Sequence, residues 1–182
     1  MLHRDGCSPL QFVTHVFLHA GVAHLVGNMV FLLVFGNAVN AKLGHGLFLL
    51  AYFALGIVAG VAWLSFGDGA AALGASGAIM GLVGLFLVYF PRNDVNVFYL
   101  IFIGPAARGG AFTISSYWLI LLYVALDLLG FLGPGSGVAH VAHLGGTAAG
   151  VAAGLLLLAS GLVTSTEWEE NLLMLLRVFR SR

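Results

Sequence analysis

Leu73-Gly74-Ala75-Ser76-Gly77-Ala78-Ile79-Met80-Gly81 sets a serine among the smallest residues at the point where an apolar run begins. Small neighbours let backbone approach on either side, as an exposed nucleophile on a tight turn requires. Small-xxx-small spacing also packs membrane helices, so the stretch alone leaves two readings open, inert packing and chemistry. The run continues to about Phe90 and is closed by Pro91-Arg92-Asn93-Asp94. That is short for a full span. A helix that starts below the membrane surface needs fewer residues, which sets Ser76 in a depression.

The rest of the chain supplies the membrane. Of its 182 residues 60% are hydrophobic and 8% charged, and the mean hydropathy is +1.04. Soluble domains carry about 25% charged residues, so lipid must act as solvent for a chain so depleted. The apolar runs are continuous rather than alternating, which favours a helical bundle over a membrane barrel. The expected fold is therefore all-α, a polytopic transmembrane bundle of about five spans forming a single domain over 1–182. A formal net charge of zero with scattered basic residues gives nucleic-acid binding no support. The single cysteine, Cys7, excludes an internal disulfide. The N-terminus lacks the basic-then-apolar profile of a cleavable signal.

Residues 1–20 mix polar and apolar positions and read as an outer interfacial loop. Spans are expected at about 22–39, 47–66, 76–90, 112–131 and 138–162, the helical bundle occupying 22–162. The nine apolar residues of 95–103 read as an interfacial excursion, and Gly133-Pro134-Gly135-Ser136-Gly137 as a flexible turn. Residues 163–182 form a tail in which an amphipathic surface helix is expected from Glu167. Lys42, Arg92, Arg108, Arg177, Arg180 and Arg182 fall on one side of this arrangement and Arg4 on the other. The positive-inside rule puts the C-terminus in the cytoplasm and the starts of the first, third and fifth spans at the outer side.

Those three starts carry the polar motifs. His24 and Asn28 are four apart and project from one helical face, either as hydrogen-bonding glue between helices or as donors to a ligand. Ser76 opens the third span, and Ala139-His140-Val-Ala-His143-Leu-Gly145-Gly146 opens the fifth. Gly77 and Gly81 on one helix and Gly146, Gly150 and Gly154 on the other recur every four residues, which allows close backbone approach. Docking these ladders brings Ser76 and His143 to similar depth, where an imidazole can take a hydroxyl proton.

In order, His24-xxx-Asn28, Gly74-Ala-Ser76-Gly77 and Ala142-His143-Leu-Gly-Gly146, with the lead-in Phe17-Leu-His19-Ala-Gly21, resemble the rhomboid intramembrane serine proteases over about residues 14–158. The resemblance implies Ser76 as nucleophile, His143 as general base and then acid, and an oxyanion hole from His24, Asn28 and the Ser76 backbone N–H. It implies a dyad without a carboxylate and without cofactor, acting on transmembrane protein substrates from within the bilayer, in a multi-pass protein of a prokaryotic plasma membrane. On this reading Asp127 is structural, since nothing in the sequence sets it beside His143, and His140 packs or hydrogen-bonds beside the site. The resemblance also implies a spanning helix ahead of the outer loop, which these residues do not include; a piece of a longer chain and a shortened member both fit. A catalytically inactive relative that binds client membrane helices is the alternative function. A metal site at His15, His19 and His24 has helical ligand spacing but no completing carboxylate or cysteine, so no metal is expected. A transporter would want further intramembrane acidic residues beside Asp127.

Overall fold

A computed structural model describes residues 1–104, 106–133 and 138–180. In chain order it has β1 (Leu2–His3), α1 (Gln11–Thr14), a 3-10 turn (His15–Phe17), α2 (Val22–Phe31), a π turn (Leu32–Gly36), α3 (Asn37–Leu43), α4 (His45–Phe66), β2 (Ala71–Ala72), α5 (Ser76–Tyr89), β3 (Asp94–Ile103), β4 (Ala106–Ser115), α6 (Ser116–Leu132), α7 (His140–Ala159) and α8 (Leu172–Arg180). The helical bundle is the expected architecture. Among the described residues three rods are long and apolar enough to cross a membrane, Val22–Leu43, His45–Phe66 and His140–Ala159. The other two spans foreseen are shorter apolar helices, α5 with 14 residues and α6 with 17.

The bundle is built round α5. Twelve of its residues are buried, and its apolar character runs all round the helix because it meets protein on every side. Fourteen residues rise about 21 Å against a hydrocarbon core of about 30 Å, so α5 cannot reach both membrane surfaces. Ser76 is its first residue.

The structure refines the reading of residues 95–115. Residues 95–103, read as an interfacial excursion, take strand form beside the helical bundle: β3 and β4 form an antiparallel hairpin registered from Asp94↔Ser115 to Ile103↔Ala106. The fourth span therefore starts at Ser116 rather than near Phe112. Val, Ile, Tyr and Phe crowd this run, and such residues suit a pleated backbone. Gly104, at φ +60, stands at the turn, and side chains pair across the strands, Thr113 Oγ1 donating to Asn96 Oδ1 at 2.8 Å and Ser115 Oγ to Asp94 Oδ1 at 2.9 Å. The turn foreseen at Gly133–Gly137 falls at 134–137, outside the described residues, as does Arg182.

The ends of the bundle are tied by the flanking segments. β1 pairs with β2, Leu2 against Ala72, and buries Leu2 beside Ala59, Trp63 and Ala142. The Arg4 guanidinium donates to the carbonyls of Leu64 and Gly67 at 3.0 and 2.6 Å, satisfying carbonyls at the end of α4 that have no helical partner. At the opposite end Glu169 pairs with Lys42 and Glu170 with Arg92. The amphipathic tail helix begins at Leu172 rather than Glu167, where Asn171 Oδ1 accepts the Met174 N–H at 2.9 Å as its N-cap.

Candidate active site

Ser76 owes its position to the turn before it. Gly74 has φ +116, a region that glycine alone enters at little cost, and a Cβ there would lie 2.9 Å from His24 Nε2. Its N–H donates to the carbonyl of His15 at 3.0 Å, which fixes the turn to the outer segment. His15 is buried, and burial pushes its imidazole below the ordinary histidine range although the Gln11 and Phe12 carbonyls pull the other way. As the opening residue of α5, Ser76 also offers a backbone N–H that has no partner within the helix.

His143 reaches the serine because α5 and α7 touch backbone to backbone. A Cβ on Gly146 would fall on the Gly77 carbonyl oxygen, and one on Gly150 on that of Gly81. Gly77 and Gly81 turn their own open sides the other way, toward Ala59 and Leu55 of α4, each 2.7 Å from where a Cβ would sit. The glycines thus make a three-helix junction, broader than the pair of facing ladders read from the sequence. His143 Nε2 lies 2.8 Å from Ser76 Oγ.

Asp127 is not remote from this pair, which corrects the expectation. Its Oδ1 lies 2.9 Å from His143 Nδ1 and 2.8 Å from His140 Nδ1. An ionised carboxylate only accepts, so in these two contacts Nδ1 is the donor, an arrangement that leaves the other nitrogen of a singly protonated His143 ring to accept from the serine hydroxyl. His140 hydrogen-bonds beside the site as foreseen, with Asp127 as its partner.

His24 and Asn28 come together on the other side of Ser76. The Ala20 N–H donates to His24 Nδ1 at 3.3 Å, so in the neutral ring Nε2 carries the hydrogen. That Nε2 and Asn28 Nδ2 lie 2.9 and 3.8 Å from one point, the Cβ position of Gly74. Asn28 Nδ2 is buried and has no hydrogen-bond partner among the described residues. His24, Asn28, Ser76, Asp127 and His143 all line one cavity of about 360 Å³, whose walls are otherwise mainly apolar, with Phe31 and Met80 among them. A few convergent polar groups in an apolar cleft are the usual make-up of a binding site.

The sequence model of the Rhomboid domain matches residues 7–160. The chain belongs to the rhomboid family. Its similarity to the Rhomboid protease GluP of Bacillus subtilis is 40% identity over 88 residues, covering 48% of this chain and 17% of that protein. RHOMBOID-like protein 6, mitochondrial, of Arabidopsis thaliana is 28% identical over 166 residues, covering 91% of this chain and 48% of its own length. The Putative rhomboid protease YdcA of B. subtilis is 38% identical over 88 residues, 47% of this chain and 44% of that protein. The chain thus spans less than half the length of each of these relatives. As a rhomboid with long apolar helices, it is an integral membrane protein.

Within this rhomboid, the metal-ligand spacing suspected at His15, His19 and His24 is not assembled: His15 Nδ1 donates to the Gln11 carbonyl at 2.9 Å and His24 Nδ1 is taken by Ala20. Among the described residues the grouping with ligand spacing is Asp127, His140 and His143, whose donor atoms lie within 4.8 Å of one another. Those atoms already satisfy each other, and an ion bound there would have to break both hydrogen bonds to Asp127 Oδ1.

The sequence reading missed Asp127, although a signal was available. α6 and α7 are successive antiparallel helices, Asp127 stands five residues before the last residue of α6, and His143 three after the first of α7. Residues at like distances from a helix-helix turn meet at like depth. An intramembrane carboxylate also calls for a partner on energetic grounds.

Proposed function

We propose that this rhomboid is an intramembrane serine endopeptidase that cleaves transmembrane polypeptides. The single observation that carries the reading is the 2.8 Å contact between His143 Nε2 and Ser76 Oγ inside the apolar cavity. A serine hydroxyl is a weak nucleophile unless a base takes its proton, and a bare imidazole nitrogen at hydrogen-bond distance is such a base. Ser76 Oγ attacks the scissile carbonyl as its proton passes to Nε2, and the new oxyanion meets the His24 Nε2–H, the Asn28 amide and the Ser76 N–H. His143 then protonates the leaving amine, and water admitted to the cavity repeats the sequence on the acyl-enzyme.

The unpartnered Asn28 donor supports the oxyanion site. A buried donor without an acceptor costs stability, and a charge that develops only in the transition state repays that cost where it speeds the reaction. Substrates on this reading have a helix that unwinds readily near the scissile bond, with a small residue there. The basic residues orient the site toward the outer leaflet with α8 on the cytoplasmic side.

The test is cleavage of a model transmembrane substrate by the purified protein, with fluorophosphonate labelling in parallel. Ser76→Ala and His143→Ala should each abolish cleavage, and Ser76→Ala should abolish labelling. A wild type that neither cuts nor labels points instead to an inactive member that holds client helices. Variants that cut as well as wild type sink the assignment of the dyad.

A further inference from the structure

Of the seven side-chain carboxylates in the chain, Asp127 is the one inside an apolar helix of the bundle. It is 7% exposed. A carboxylate so placed is costly unless hydrogen bonds compensate for the lost water, and here two imidazole N–H groups do so on a single oxygen, Oδ1. The two rings come from one turn of α7, at positions three apart, so one helix supplies both donors to the carboxylate of α6.

We propose that Asp127 is a positioning residue for His143, converting the dyad implied by the family resemblance into a hydrogen-bonded triad, and that His140 holds Asp127 in place for that task. The inference rests on the protease reading. Three consequences follow from geometry. The bond to Oδ1 keeps the hydrogen of the neutral His143 ring on Nδ1, so that Nε2 is free to accept from Ser76 Oγ at 2.8 Å. It fixes the rotation of a ring that otherwise turns about two bonds. When His143 takes the serine proton, the carboxylate stabilises the resulting imidazolium without becoming protonated itself. Asp127 touches neither nucleophile nor substrate carbonyl; it acts through His143, as His140 acts through Asp127.

The informative variant is Asp127→Asn, which keeps the shape and one acceptor oxygen but removes the charge. It should lower kcat roughly tenfold or more, with KM within about twofold and an unchanged melting temperature, in the direction seen for charge removal behind a catalytic histidine elsewhere. A merely structural Asp127 would leave kcat at the wild-type level, and that result overturns the proposal. Should the variant fail to fold, the tautomer of the wild type decides. In a long-range ¹H–¹⁵N spectrum of the intact protein, with the His143 signals assigned by their loss in His143→Ala, the ring hydrogen must sit on Nδ1. Finding it on Nε2 overturns the proposal. The tests separate the two readings: a wild type that does not cut sinks the protease assignment whatever its tautomer, whereas a cutting wild type matched by Asp127→Asn sinks the positioning role alone.

Discussion

Asn28 is misplaced for stability and, on the proposed reading, well placed for chemistry. Asn28 Nδ2 is buried without an acceptor, on the side of Ser76 where His24 Nε2 also points. Replacing it by leucine removes an unsatisfied donor, so Asn28→Leu should hold or raise the melting temperature while lowering kcat. A lost oxyanion donor is worth about 10²–10³ in kcat where measured. Thermal unfolding in detergent alongside cleavage kinetics checks both halves, and a melting temperature lowered by several degrees would mean that the amide is engaged in holding the fold. At this scale the sequence was readable where spacing carried the message. The i, i+4 relation of His24 and Asn28 specifies a shared face, and the glycine periods align Ser76 with His143. Asp127 was not readable in that way: α6 is apolar nearly all round, so nothing in its own pattern tells which face it turns to α7.

Among the elements, α5 and α7 set the distance between Ser76 and His143. Backbone meets backbone there, so an added side chain has nothing flexible to push aside. A Cβ on Gly150 falls on the Gly81 carbonyl oxygen, whereas a Cβ on Gly81 meets the Leu55 side chain of α4. Gly150→Val is therefore the direct test of the α5–α7 contact. It should separate the helices, lower the melting temperature and abolish fluorophosphonate labelling of Ser76, which lies about one and a half turns of α5 from the point of contact. Labelling at the wild-type rate would remove the junction from the account of the site. The β3–β4 hairpin shows the opposite kind of legibility. Its apolar run was visible, but in a chain rich in membrane helices nine apolar residues do not distinguish a strand from a grazing segment. Pairing decided it, and pairing depends on partners outside the run itself, such as Gly110, whose missing side chain leaves room for the Tyr99 ring.

For the molecule as a whole, the N-terminal segment and the turn that carries Ser76 are one unit, and pH can test that link. The His15 carbonyl holds the Gly74 N–H at 3.0 Å while its ring is buried and donates to the Gln11 carbonyl. Burial holds the imidazole below its ordinary value of 6.5, outweighing the carbonyls of Gln11 and Phe12. The unfolded chain therefore takes up a proton at His15 before the folded one does. Folded stability must fall as pH drops through 6.5, and the loss ends once the folded ring is itself protonated. At the other end, burial alone would raise the Glu169 carboxyl, but Lys42 and the Thr166 N–H outweigh it and hold it below 4.5. Its contribution is full above 4.5, is lost below, and is small because solvent screens the partly exposed pair. Between about pH 7.5 and about pH 5 only the His15 end responds of these two. The melting temperature of wild type should fall over that range, and that of His15→Gln, whose side chain takes up no proton, should fall less. The other histidines are common to both proteins, so the difference isolates His15. Equal falls would mean that the buried ring does not couple to the fold, and the clamp on Gly74 would then rest on its backbone hydrogen bond alone.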